Sequence, residues 1–230
     1  MVLSLDRWVG KVAVVTGASS GIGEAIAEFL VNKGLIVSHQ PPITVNYGII
    51  IFLQVAGLAR RSERVEEKAK QLSGKAGKLH AVKTDITKEE DIVQAFQWIE
   101  KNLGHVHILI NNAGISKENF LRDGDSASWK QTFDVNVMGL CIATREAIKI
   151  MSANNIKGHI IHINSVAGHK VVDFPGINVY TASKHAVTTL AETLRHELNA
   201  IDSKIKITVS FDNFNVFIVY IFGCRVSVLD

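Results

Sequence analysis

The chain has 230 residues, 47% hydrophobic and 20% charged, enough to bury a large core within one domain. Its net charge is only +3, with Lys and Arg interspersed among Asp and Glu, so a nucleic-acid-binding surface has little support. Cys141 and Cys224 stand far apart without a partner motif, and Asp6 and Arg7 fall where a signal peptide needs its apolar centre, so a disulfide framework and a secretory address are both disfavoured and a cytoplasmic location is expected.

In chain order, strand signals alternate with helical ones, the pattern of a parallel sheet covered on both faces. Residues 11–15 (KVAVV) read as a short buried strand. Ile26, Phe29 and Leu30 then recur at helical spacing up to Gly34, a candidate C-terminal cap. The next strand is written twice: Leu35, Ile36 and Val37 stop at a polar segment with two prolines, and a second apolar run leads into Gly57-Leu58-Ala59-Arg60-Arg61. Residues 78–86 read as a strand, and residues 87–104 as a helix with a Thr87/Glu90 capping box. A buried strand (106–114), one long helix (132–151) and another strand (158–165) follow. Residues 180–198 form a helix with Val187, Leu190, Ala191, Leu194 and Leu198 on one face. His105 and His107 lie on one side of a strand with no third ligand at metal spacing, so no metal is expected.

Two stretches carry chemistry. TGASSGIG, residues 16–23, sits between a strand and a helix. Its glycines at 17, 21 and 23 allow a tight turn and close approach to a phosphate, while the following helix aims free N–H groups and its positive end at that anion. The second is Tyr180-x-x-x-Lys184: residues four apart share a helical face, so the ammonium can lie beside the phenol. A unit charge at about 5 Å with an effective dielectric near 20 is worth about 3 kcal/mol to a developing phenolate. Alone, such a pair is usually only helix surface; in combination with the glycine-rich turn it becomes a candidate acid/base.

With these residues in place the sequence resembles the short-chain dehydrogenase/reductase family. The resemblance is carried by TGASSGIG (16–23), NNAG (111–114), Asn136 in DVNVMG, Ser165 in INSVAG and YTASK (180–184), in the family's order over residues 7–208. GHIIHINSVAGHKV and the step from Ser165 to Tyr180 look like the subgroup acting on isoprenoid alcohols such as farnesol and on steroid or other ketones. The resemblance implies one Rossmann-type domain over residues 1–230, a doubly wound parallel sheet with NAD(P) at the carboxyl ends of its strands.

The same resemblance implies the roles. Tyr180 is the general acid/base, Lys184 assists it and binds the nicotinamide ribose, Ser165 orients the substrate oxygen, and Asn136 bends its helix and holds a water relaying protons to Lys184. Gly17, Ser19, Ser20, Gly21, Ile22 and Gly23 hold the pyrophosphate side, and Asn112, Ala113 and Gly114 lie along the cofactor. Asp85 with Ile86 contacts the adenine, or Asp85 only helps start the next helix. Ser165 as a strand-end cap, Asn136 as a satisfied buried amide and NNAG as a plain turn are the bland alternatives. A homodimer or homotetramer through residues 144–151 and 180–197 is also implied.

Cofactor choice is read at the tip of the second strand, where NAD needs an acid and a 2′-phosphate calls for Arg. Arg60 stands 37 positions after Gly23, but removing the 18 residues 37–54 would bring the separation to 19 and leave a continuous GLIVAGLARR with Arg60 and Arg61 at its tip. NADP(H) is therefore expected. Val37-Ser38 is what a GTA-AGT splice donor would encode and Gln54 fits a CAG acceptor, so residues 37–54 read as a translated intron, or as a genuine surface insertion. Residues 209–230 depart from the family, which continues with a Pro-Gly turn, a substrate loop, a helix and a last strand; the loop and last strand are expected to be missing. Residues 214–222 are nearly all apolar yet too few to span a membrane. Three classes remain open: an NADP(H)-dependent alcohol/carbonyl oxidoreductase, a silent splice product that binds cofactor or pairs with a full-length partner, and a membrane-attached protein through residues 43–59.

Overall fold

The computed structural model describes residues 8, 10–33 and 53–210. Six strands and six α-helices alternate along them: β1 (Val12–Thr16), α1 (Gly21–Lys33), β2 (Gln54–Ala59), α2 (Ser62–Gln71), β3 (Lys78–Lys83), α3 (Glu89–Asn102), β4 (Val106–Asn111), α4 (Ser126–Phe133), α5 (Gly139–Ala153), β5 (His159–Ile163), α6 (Asn178–Ala200) and β6 (Lys206–Ser210). All pairings are parallel, in the order β3-β2-β1-β4-β5-β6. The chain winds outward from β1 to β3 and then restarts beside β1 at β4, which leaves a crevice where helices diverge above the carboxyl ends of β1 and β4.

Alternation along each strand fills both faces. In β1, Ala13 and Val15 pack with Ile26, Leu30 and Val31 of α1 and Val65 of α2. Val12 and Val14 pack on the other side with Ile92, Phe96 and Ile99 of α3 and Ala143, Ala147 and Met151 of α5. A strand buried on both faces reads as a continuous apolar run, which is why the sequence shows KVAVV and VHILI rather than alternation. Lys68 of α2 ties the first face together, reaching Glu24 at 3.1 Å and Glu28 at 3.2 Å on α1.

Several elements differ from the expectation. Helix α2 has only a thin apolar stripe, Val65 and the following Leu72 buried with Ala69 beside them, on an otherwise charged segment whose Glu, Lys and Ala favour a helix. Thr87 does not cap α3: Lys88 is its N-cap, without a side-chain bond, and Thr87 donates to Asp85 Oδ1 from both N–H (3.1 Å) and hydroxyl (2.8 Å). Asp91 instead accepts the Asp85 N–H at 3.0 Å. The single long helix starts earlier, where the Asp125 carboxylate accepts from Ala127 and Ser128, and is interrupted by a π-helical turn, Asp134–Met138. His105 precedes β4 and bonds Glu100, while His107 accepts the Val12 N–H, so the two do not share a strand face.

Of the twice-written strand, β2 is formed by the second half: Gln54 pairs with Val12 and Lys78, and Leu53 is buried before it. The half at residues 35–37, the Gly34 cap, residues 37–52 and residues 211–230 lie outside the described residues. Strand β6 runs to Ser210, whose carbonyl accepts the Asn164 N–H at 2.8 Å, so Val209 and Ser210 belong to the sheet.

A polar cluster sits on the α5/α6 side of β4 and β5. Asn111 Nδ2 donates to Thr144 Oγ1 at 2.9 Å and stands 3.1 Å from His162 Nδ1, all three side chains being buried. Burial, and next the charge of Lys184, lower the His162 pKa to about 4. A histidine depressed from its ordinary 6.5 contributes stability above that value and loses it as pH falls toward 4, by about 3 kcal/mol if its charged form is fully excluded. Urea midpoints are expected to fall over that window, and His162→Gln is expected to flatten the fall. At Gly57 in β2 an added Cβ would lie 2.8 Å from Val65 Cγ1; Gly57→Val is expected to lose about 1–3 kcal/mol in the same titration.

Candidate active site

Four connections converge on the crevice. The β1–α1 turn begins with Thr16, whose buried hydroxyl accepts the N–H groups of Asn112 and Ala113, both at 3.0 Å. Asn112 answers with its amide, donating to Thr16 O at 3.0 Å and Gly17 O at 3.4 Å. The glycine-rich turn and the NNAG segment are thereby locked together. Gly23 is where α1 presses on this junction: a Cβ there would lie 2.3 Å from Asn112 Nδ2 and 2.4 Å from Gly17 O. Gly21 opens α1 at φ +58° with nothing within 4 Å of a Cβ position, leaving the helix N-terminus accessible.

The crevice is a cavity of about 420 Å3. Gly17, Ser19, Ser20 and Ile22 line it from the first turn, and Arg60 and Arg61 from the end of β2. Asp85 and Ile86 line it after β3, and Asn112, Ala113 and Gly114 after β4. Tyr180 and Lys184 close the far end from α6. Arg60 and Arg61 are exposed, as groups meeting a ligand from solvent would be. Burial alone would raise the Asp85 carboxyl, but the Thr87 bonds and the charges of Arg60 and Lys88 outweigh it and hold the pKa below its ordinary value. Asp85 thus both lines the cavity and organises the turn before α3.

Lys184 is buried, and burial brings its pKa down from 10.5 to about 8. Its Nζ donates to Ile163 O at 2.9 Å and lies 5.7 Å from the centre of the Tyr180 ring. Gly114 lies between groups: a Cβ there would be 3.5 Å from Asn136 Oδ1 and 3.9 Å from Lys184 Nζ.

Asn136 and Ser165 stand outside the cavity lining. Asn136 sits in the π-helical turn, its Oδ1 accepting from Ile115 N–H at 2.8 Å and its Nδ2 donating to Ile115 O at 2.9 Å and Ser183 Oγ at 3.0 Å. Asn136, expected to bend its helix and hold a water, lies within a π turn, and both its amide N–H groups are engaged by protein. Ser165 Oγ accepts the Ala167 N–H at 3.2 Å and caps the 3-10 turn Val166–Gly168. Thr16 and Ser183 were not singled out in the sequence. Thr16 opens the glycine-rich motif and was readable there; Ser183 carried no signal of its own.

The residues fit a dinucleotide: an accessible helix N-terminus and paired arginines stand at one end, a buried ammonium beside a phenol at the other. No group of three or more His, Cys, Asp or Glu among the described residues could hold a metal ion. None of their helices is long and apolar enough to cross a membrane.

Comparison with known proteins agrees with this geometry. A family model described as short chain dehydrogenase matches residues 52–210. The chain is 48% identical over 206 residues to farnesol dehydrogenase of Aedes aegypti, covering 89% of this chain and 77% of that protein. It is 39% identical over 207 residues to dehydrogenase/reductase SDR family member 11 of Homo sapiens, covering 89% and 73%. The solved structure of a short chain dehydrogenase/reductase from Burkholderia phymatum in complex with NAD superposes with a TM-score of 0.74 at 30% identity, over 88% of this chain and 65% of that one, a little under two thirds of its length. Sheet order, crevice and relatives together place the chain in the short chain dehydrogenase family of oxidoreductases, in the branch holding farnesol dehydrogenase and SDR family member 11.

Proposed function

We propose that the chain is an NADP(H)-dependent oxidoreductase that interconverts an alcohol and a carbonyl, with an isoprenoid alcohol, a steroid or another small ketone as substrate. The observation that carries this reading is the buried Lys184 ammonium 5.7 Å from the Tyr180 ring, at the end of a cavity that begins at the glycine-rich turn. The cation beside the ring stabilises negative charge developing there during proton transfer. Tyr180 then gives its proton to the carbonyl oxygen in reduction and takes it back in oxidation. Ser165 orients that oxygen. Lys184 holds the ribose, and the π turn at Asn136 keeps the segment after β4 fixed beside it. A bound nicotinamide would supply or accept the hydride.

Arg60 and Arg61 support NADP(H), because guanidinium forks match a 2′-phosphate and the end of β2 offers no acid. The farnesol dehydrogenase relative supports the alcohol class. Pairing as a dimer or tetramer is proposed through α6, which exposes Ala182, Thr189 and Thr193. In α5, by contrast, Thr144, Ala147 and Met151 face the protomer's own sheet side and leave Arg145 and Lys149 outside.

Tyr180→Phe is expected to lower kcat by about 10²–10⁴-fold while NADPH still binds; turnover equal to wild type sinks the assignment. Arg60→Ala combined with Arg61→Ala is expected to cut the preference for NADPH over NADH by about 10–100-fold, read from the two kcat/KM values. The lysine is cationic below about pH 8 and neutral above it. Carbonyl reduction should therefore fall as pH rises through that value, and Lys184→Arg should shift the fall upward, because a guanidinium keeps its charge.

A further inference from the structure

Ser165 heads the 3-10 turn Val166–Gly168, and the chain is pinned to α6 on both sides of it. Before it, Asn164 Nδ2 donates to Lys184 O at 3.2 Å and to Thr188 Oγ1 at 2.9 Å. After it, Thr188 Oγ1 donates to Gly168 O at 2.9 Å. The Thr188 hydroxyl therefore both accepts and donates, closing a ring that runs from Asn164 through α6 to Gly168. That ring meets α6 at Lys184 and one turn beyond it, on the helix that carries Tyr180 one turn before.

Two features set this contact apart from ordinary packing. Lys184 O can only accept, so it fixes which end of the Asn164 amide is the donor, and the buried Oδ1 is left without a hydrogen-bond partner among the described residues. An orphaned buried acceptor is destabilising, and a side chain kept for packing alone would not carry one. The approach also needs Gly168, where an added Cβ would lie 2.6 Å from Asn164 Nδ2 and 2.8 Å from Lys184 O. Any side chain there would drive the turn off the helix. Ser165 Oγ accepts the Ala167 N–H, which leaves the hydroxyl its own proton to give. Where that proton can be delivered is set by the turn.

Resting on the oxidoreductase reading, in which Ser165 orients the substrate oxygen and Tyr180 exchanges its proton, we infer that Thr188 and Gly168 are positioning residues. Neither lines the crevice; with Asn164 they fix where the Ser165 hydroxyl stands relative to Tyr180. The test measures farnesol oxidation with NADP⁺ by the full chain carrying Thr188→Val or Gly168→Ala, each alone and together with Ser165→Ala. Thr188→Val removes the hydroxyl with little change of volume, whereas Gly168→Ala keeps every polar group and displaces the turn. Each is expected to lower kcat about 10- to 100-fold with the KM for NADP⁺ within about twofold of wild type, and Thr188→Ser is expected to restore kcat to within about threefold. Added to Ser165→Ala, neither is expected to lower kcat by more than about twofold further, because the group they place is gone. Losses as large with Ser165→Ala as without it, or wild-type kcat in both variants, overturn the proposal while leaving the oxidoreductase reading intact. Wild-type kcat in Ser165→Ala sinks the role given to that serine, and no turnover by the unaltered chain sinks the oxidoreductase reading; the positioning proposal falls with either.

Discussion

A lysine ammonium in a largely buried position is the constraint around which the rest is arranged. Removing that charge from water is costly, and the fall of the Lys184 pKa to about 8 measures the penalty. The cation is tolerated because the end of β5 turns the Ile163 carbonyl toward it and the Tyr180 ring lies alongside. Each partner comes from an element whose own placement is fixed by the sheet. The strand order brings β4 and β5 together, α6 crosses back over them, and the π turn at Asn136 is stitched to Ile115 just beyond Gly114.

The polar cluster beneath the lysine follows from the same constraint. His162 must stay neutral next to a cation in the core, and Asn111 of β4 meets its ring while donating to Thr144 of α5. Nothing in the alternation of HIIHI announces this, since a histidine within an apolar strand reads as an interruption. It becomes intelligible once the helices are placed.

Much of the fold was legible because both faces of the sheet are buried, so β1, β4 and β5 stand out as apolar runs and α3 and α6 as amphipathic periods. Helix α2, with Val65 alone buried among charged residues, showed that signal only thinly. The candidate site was legible where chemistry demands particular residues at fixed spacing, as at 16–23 and 180–184. It was opaque where side chains find each other across the fold: Thr87 bonds Asp85 instead of capping α3, and Ser183 meets Asn136 only because α6 passes the π turn.

The Thr16 hydroxyl joins the two sides of the crevice, receiving two N–H groups from one side while Asn112 returns its amide to the other. The opening's breadth therefore rests on directional polar bonds as well as on the apolar packing of β1 and β4. Because cooling weakens apolar cohesion, the flanking helices would loosen in the cold before this seam does, and the mouth would keep its gauge while its surroundings soften.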